Sequence, residues 1–265
     1  MPNPFSNAFI MAARCAFDTL FKTHVPHILE KIFLYYLDYE SFKTCIEINS
    51  VWKRKLTSES FQKKAKSVFQ EEIFEKEKKL RSFSRMGNAN EVRRIVSDRW
   101  LDINSSSAYG HGPGALHITT PLSEAVEWGH KDVVEILLGA GADPNKLAHY
   151  DNIDPLHIAS AHGNPDMVQL LLHSGADPNI VNDWENGWTP LHYSINHAAG
   201  QDFLILGEGE VIEERYREVI KLLLDNGGDP NIEDDNGETP LSFALKKGDI
   251  FVIRMIEEAT LGLDA

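Results

Sequence analysis

The sequence predicts an all-α protein, a short three-helix module followed by a solenoid of paired helices joined by hairpin loops. Three observations lead there. Segments opening at Pro121, Pro155, Pro190 and Pro240 resemble one another, at spacings of 34, 35 and 50 residues. Apolar residues inside them recur at helical spacing, as in Val133, Val134, Ile136, Leu137 and Leu138. Upstream, Ile28, Leu29, Ile32, Phe33 and Tyr36 form a single apolar helical stripe.

Residues 1–23 contain an apolar stretch, AFIMAARCAF, with Arg14 inside it and Asp18 just after it. No basic cluster precedes it, so it does not read as a signal peptide. Residues 24–56 form the helical module. The first stripe breaks at Asp38 to Ser41, Phe42, Cys45 and Ile46 begin a second, and Val51, Trp52 and Leu56 a third. This stretch resembles an F-box. Ile28-Leu29, Ile32-Phe33, Leu37-Asp38, Ile48-Asn49 and Trp52 match that family's pattern in register, while Val25-Pro26 and His27 depart from its opening. The resemblance implies docking on a Skp-type adaptor through Ile28, Leu29, Ile32, Phe33, Leu37 and Trp52. An unrelated helical cap on the solenoid would need the same stripe. Residues 57–79 lack Gly and Pro and read as a helical connector, with Phe61, Ala65, Phe69 and Phe74 on roughly one side.

The repeats occupy 80–265. Thr120, Asp154, Thr189 and Thr239 stand at N-cap positions, each followed by a proline at the first helical turn, where its missing N–H costs nothing. Gly129, Gly163 and Gly248 close the first helices, and Gly141, Gly175 and Gly227 suit left-handed caps after the second. Asp-Pro-Asn then leaves the helix. A degenerate copy, residues 80–104, precedes these with Gly87 at its break and Asp102-Ile-Asn104 as its tail, and the SSSAYGHGPG segment after it reads as a loop. Four to five units result, the terminal ones acting as caps. The repeats resemble the ankyrin family, on the strength of four TPL-type openings and three GADPN or GGDPN tails. That resemblance implies that His157 and His192 bond backbone between repeats. Ser123 and Ser242 replace them in the first and last copies.

Pro155 precedes Leu170 by 15 residues, whereas Pro190 precedes the equivalent Leu222 by 32, so about 17 residues are inserted, at about 200–216. Glu210 to Arg217 is expected to extend the second helix backwards, with Glu213 and Arg217 paired. Phe203-Leu204-Ile205-Leu206 is left as a strap over the stack or as a target-contacting loop.

Charge divides the chain. Residues 1–85 carry 15 Lys/Arg against 10 Asp/Glu, and residues 86–265 carry 11 against 30. An acidic repeat domain disfavours nucleic acid and suits a basic protein partner. Cys15 and Cys45 imply neither a disulfide framework nor a metal site, and no stretch reaches the roughly 20 apolar residues of a membrane span. A cytoplasmic or nuclear protein with no cofactor is expected. No HExxH, GxSxG, P-loop or CxxC is present, so an enzyme is not expected. Residues that stacking leaves free are the candidates for target binding: Trp128, Tyr150, His162, Trp184, Trp188, His197 and Lys246. Trp and Tyr are enriched among interface anchors. The resemblances together imply the substrate-receptor subunit of a cullin-RING ubiquitin ligase. The alternative is a repeat scaffold that holds a partner without any ligase.

Overall fold

The computed structural model describes residues 67–98, 101–109, 117–147, 153–182, 186–198 and 209–263. The segment 1–23, the module 24–56 with its candidate residues, and the inserted Phe203 to Leu206 lie outside the described residues. Two compact units divide the chain, Met1–Lys76 and Glu77–Ala265. The described part of the first is helical, taking in the beginning of α1 (Gln70–Arg85).

In the second unit, α1 is followed by α2 (Ala89–Val96), a hairpin of β1 (Ser107–Tyr109) and β2 (His117–Thr119), and then helix pairs α3 (Pro121–Glu127) with α4 (Lys131–Gly139), α5 (Pro155–Ala161) with α6 (Pro165–His173), α7 (Pro190–Ala198) with α8 (Gly209–Asp225), and α9 (Pro240–Lys247) with α10 (Ile250–Leu263). The segment expected to be a loop after the degenerate copy is therefore partly strand. Ser107 pairs with Thr119 and Tyr109 with His117, which satisfies backbone groups on the way into α3.

Caps fix where each pair begins. Thr120 accepts from Ser123 N–H at 3.1 Å and Ser123 Oγ from Thr120 N–H at 3.0 Å, a reciprocal capping box. Asp154 Oδ1 accepts from the Leu156 and His157 N–H groups, and Thr239 caps Ser242. The second helices α4, α6 and α8 stop at left-handed glycines. At Gly141, φ is 94°, and Ala142 N–H reaches back to Leu137 O at 2.9 Å, a closure that a Cβ would strain.

First helices pack side by side, α3 on α5, α5 on α7 and α7 on α9, while α2 packs on α4, α6 on α8 and α8 on α10. Leu137, Leu171 and Leu223 are fully buried in one continuous core, with Leu138 and Leu222 partly buried against it. Each pair borrows its neighbours to cover its apolar side.

Outside the core, the Asp-x-Asn tails are coupled. Within each tail the Asn N–H bonds the Asp carboxylate: Asn104 to Asp102 at 3.0 Å, Asn145 to Asp143 at 2.9 Å, Asn179 to Asp177 at 2.9 Å and Asn231 to Asp229 at 2.8 Å. Each Asn side chain then accepts from the next tail. Asp143 N–H donates to Asn104 Oδ1 at 2.9 Å, Asp177 N–H to Asn145 Oδ1 at 2.8 Å, and Asp229 N–H to Asn179 Oδ1 at 2.7 Å. Asn145 and Asn179 also donate to the carbonyls of Gly175 and Gly227. The degenerate first copy thus occupies the same register as the others.

The insertion extends α8 backwards to Gly209, as its sequence predicts. Arg217 bonds Asp249 Oδ2 at 3.1 Å and lies 4.8 Å from the Phe251 ring centre; the side chain of its expected partner, Glu213, lies outside the described residues. Tyr216 packs over Gly163, where a Cβ would come within 2.9 Å of the ring, and its hydroxyl donates to Ala161 O at 2.7 Å.

Replacing the fully buried Leu171 with Ala should lower stability by about 2–5 kcal/mol through lost transfer energy plus a cavity. Urea unfolding would show it, with damage concentrated in α5–α8 by hydrogen exchange.

Candidate protein-binding ridge

The fold puts one residue of every repeat on a common edge. Immediately before the position of the first-helix glycine stand Met86, Trp128, His162, His197 and Lys247, and one residue earlier Arg85, Glu127, Ala161, Asn196 and Lys246. Because the first helices lie side by side, these ends form a ridge. Contacts between neighbours show its continuity. The Arg85 guanidinium lies 5.0 Å from the Trp128 ring centre, His162 Nε2 lies 3.8 Å from Glu127 Oε1, and Lys247 Nζ donates to Asn196 O at 3.4 Å.

Trp128 is 52% exposed and Met86 68%, so two large apolar side chains stand in water at one end of the ridge. His162 and His197 are exposed in the middle, with the His197 ring stacked parallel to Tyr193 at 6.4 Å. Lys246 is exposed at the other end and bonds Glu238. Four candidates from the sequence, Trp128, His162, His197 and Lys246, are thus brought onto one edge. Arg85 and Met86 were missed, although aligning Gly87 of the degenerate copy with Gly129 would have found them.

Trp188 is not at an exposed tip. Its half-buried ring meets Tyr193 and Phe243 edge-on, each at 5.3 Å, and its indole N–H donates to Asp234 Oδ2 at 3.2 Å. It bridges the third and fourth repeats because that hairpin brings three aromatic rings and a buried carboxylate together. Burial opposes ionisation of Asp234, but bonds from the Glu238, Asn236 and Trp188 N–H groups outweigh it and hold the carboxyl below its ordinary range. Tyr150 and Trp184 lie outside the described residues.

The histidines implied to be structural do bond between repeats. His157 Nε2 meets Trp188 O at 3.0 Å, and His192 Nε2 meets Glu238 O at 3.1 Å. Their other nitrogens differ. His157 Nδ1 faces Asp154 Oδ2 at 2.8 Å, whereas His192 Nδ1 faces the Thr189 hydroxyl at 2.9 Å. At Ser123 and Ser242 the side chain turns to its own cap instead, its hydroxyl donating to the carbonyl of Thr120 and Thr239 respectively.

Apart from Glu127, most exposed acid lies elsewhere. Asp132, Glu135, Asp166, Glu214, Glu218 and Asp225 are exposed on second helices, and Asp143 and Asp177 in the tails. Among the described residues no group of three His, Cys, Asp or Glu side chains is placed to hold a metal, and no helix is long and apolar enough to cross a membrane.

Residues 122–208 match the family model for three copies of ankyrin repeats, and residues 186–235 match the model for a single ankyrin repeat. Ankyrin repeats are present. They are protein-binding modules and are typically not catalytic. The matches do not reach residues 24–56, and no curated protein matches the chain. Along the edge holding Trp128, the side chains of Met86, Trp128, His162 and His197 are exposed.

Burial pushes His192 below the ordinary histidine range, despite the Glu238 carbonyl that favours its charged form. The neutral ring is therefore preferred in the fold. Its stabilisation is present above about pH 6.5 and is lost as pH falls through the lower folded value. Thermal midpoints measured between about pH 7.5 and about pH 5 should fall more steeply for the native protein than for His192→Asn. Equal slopes would contradict this role.

Proposed function

We propose that the ankyrin stack is a recruiting module that holds a target protein along the ridge, with Trp128 as anchor and Met86, Arg85, His162, His197 and Lys246 around it. The observation that carries this is the exposure of Trp128 beside Met86 on an edge formed by every repeat. A Trp left in water by a stable fold is an interface residue waiting for a partner, since few residues contribute as much when desolvated. The lack of any motif for chemistry agrees with a binding role.

The F-box-like register of residues 24–56 favours a finer form of this reading. Ile28, Leu29, Ile32, Phe33, Leu37 and Trp52 would dock a Skp-type adaptor, and the ankyrin stack would present its target to a cullin-RING ubiquitin ligase. The chain then needs no nucleophile, because transfer belongs to other subunits. Tyr150 and Trp184, on hairpin tips by sequence, would extend the target contact. Without an adaptor, the same ridge serves a scaffold that holds its partner without ligase action. Acid on the second helices and tails would add attraction for a basic target.

Affinity capture from a cell lysate, with purified Skp-type adaptor added, separates these forms. The full chain should retain the adaptor, and Ile32→Ala with Phe33→Ala should lose it while the repeats keep their fold. Trp128→Ala should leave adaptor capture intact and weaken target capture by roughly 30-fold, the scale of a hot-spot loss of about 2 kcal/mol. Adaptor retained at unchanged affinity by the Ile32/Phe33 variant would exclude the ligase form. Target capture unchanged by Trp128→Ala would exclude the ridge.

A further inference from the structure

We propose that Tyr216 is a phosphorylation site for a protein tyrosine kinase, and that phosphate there unfastens the extension of α8 from the ridge. Comparison of the second helices carries the argument. The helices α4 and α6 have nine residues each, and α8 has seventeen. The last nine, 217–225, align with those of α4 and α6, so 209–216 is a helical addition that the repeat frame does not need. Among the described side chains of that addition, Glu214 and Arg215 are exposed and Tyr216 is half-buried. Its ring lies over Gly163, and its hydroxyl donates to Ala161 O at 2.7 Å, next to His162 on the ridge. Burial pushes the phenol above its ordinary value, so the hydroxyl keeps the proton that it donates.

The start of the stack uses the same fastening with a different ring. His130 stands at the position of Tyr216, packs over Gly87 as Tyr216 packs over Gly163, and its Nε2 meets Arg85 O at 3.0 Å. Asn164 and Asp249, at that position in the other repeats, cap their own helices instead. Of the two fastenings, the one at Tyr216 ends in a hydroxyl, the group that a kinase esterifies. Glu208, Glu210, Glu213 and Glu214 precede it in sequence. Kinases choose substrates partly by charge pattern, and an acidic flank suits a basic substrate cleft. A kinase reads an extended segment, and 209–216 can become one without disturbing Val219, Ile220 and Leu223 in the core.

The donor is a nucleoside triphosphate. A bond forms between Tyr216 Oη and the γ-phosphorus, the bridging bond to the β-phosphate breaks, the nucleoside diphosphate leaves, and the phenolic proton passes to a base of the kinase. The product has lost the hydrogen that Ala161 O accepts and has gained a charge of roughly −2. Half-buried against a carbonyl oxygen, that charge is both desolvated and repelled. The ring therefore leaves Gly163 and 209–216 unwinds, while 217–225 stays in the stack. The edge beside His162 is opened. The bearing of this on target binding rests on the ridge reading.

Incubation of the full chain with MgATP and a purified tyrosine kinase that accepts acidic glutamate–tyrosine polymers tests this. Tandem mass spectrometry should place a phosphate on Tyr216. Hydrogen exchange at 210–216 should then quicken roughly tenfold or more, while 219–224 keeps its protection. Phosphatase should restore the native pattern. Tyr216→Phe keeps the ring over Gly163, so it should fold, and kinase treatment should leave its exchange at 210–216 unchanged. A chain that takes no phosphate at Tyr216, one that takes it with exchange at 210–216 unchanged, or equal quickening in treated Tyr216→Phe overturns the proposal. Neither readout involves a target, so the ridge reading stands or falls separately.

Discussion

No helix pair in this protein can cover its own apolar side, and the rest of the structure follows from that. A pair of short helices presents one stripe inward and another to each neighbour. The stripes are satisfied only when Leu137, Leu171 and Leu223 meet in a continuous core. Burial alone is non-directional, however, and would tolerate slippage between pairs. Register comes from polar contacts at the two margins. On one side His157 and His192 reach the backbone of the next hairpin; on the other, each Asn accepts from the next Asp N–H. Apolar area supplies the drive, and directional bonds choose the geometry.

The same division explains what is left for binding. The second-helix glycines, caps, tails and structural histidines are committed to stacking. At the ends of the first helices, by contrast, Trp128, His162 and His197 are exposed among the described residues. Trp128, His162 and His197 differ from one another in size and charge while the frame around them is nearly constant. Variation at fixed geometry is how a repeating scaffold acquires a particular partner. Apart from Glu127 and the Glu238 that bonds Lys246, the exposed acid of the domain named above sits on second helices and tails, so net charge describes those faces better than it describes the ridge.

Much of this was legible in the sequence. Repeat spacing, caps and glycines locate the helix pairs in the sequence, and the ladder of Asn104 shows that the degenerate copy belongs to the series. What the sequence did not convey depended on neighbours. Trp188 reads as an exposed tip because nothing local reveals that Phe243 and Tyr193, from two repeats, close around it. The strand at Ser107–Tyr109 was hidden by small residues and glycines that carry little pattern. Arg85 and Met86 escaped notice for a different reason, since the degenerate copy has neither the proline nor the Leu-His that mark the others.

Hydrogen exchange at the Asp143, Asp177 and Asp229 amides tests the central claim, that one register runs from the degenerate copy through the third tail. These N–H groups sit in surface tails and would exchange as open loops do if the repeats were merely adjacent. Bonded to Asn104, Asn145 and Asn179, all three should be protected to the level of the flanking second helices and should be released together with them. Exchange of the Asp143 amide at loop rates, with the neighbouring helices still protected, would contradict the account.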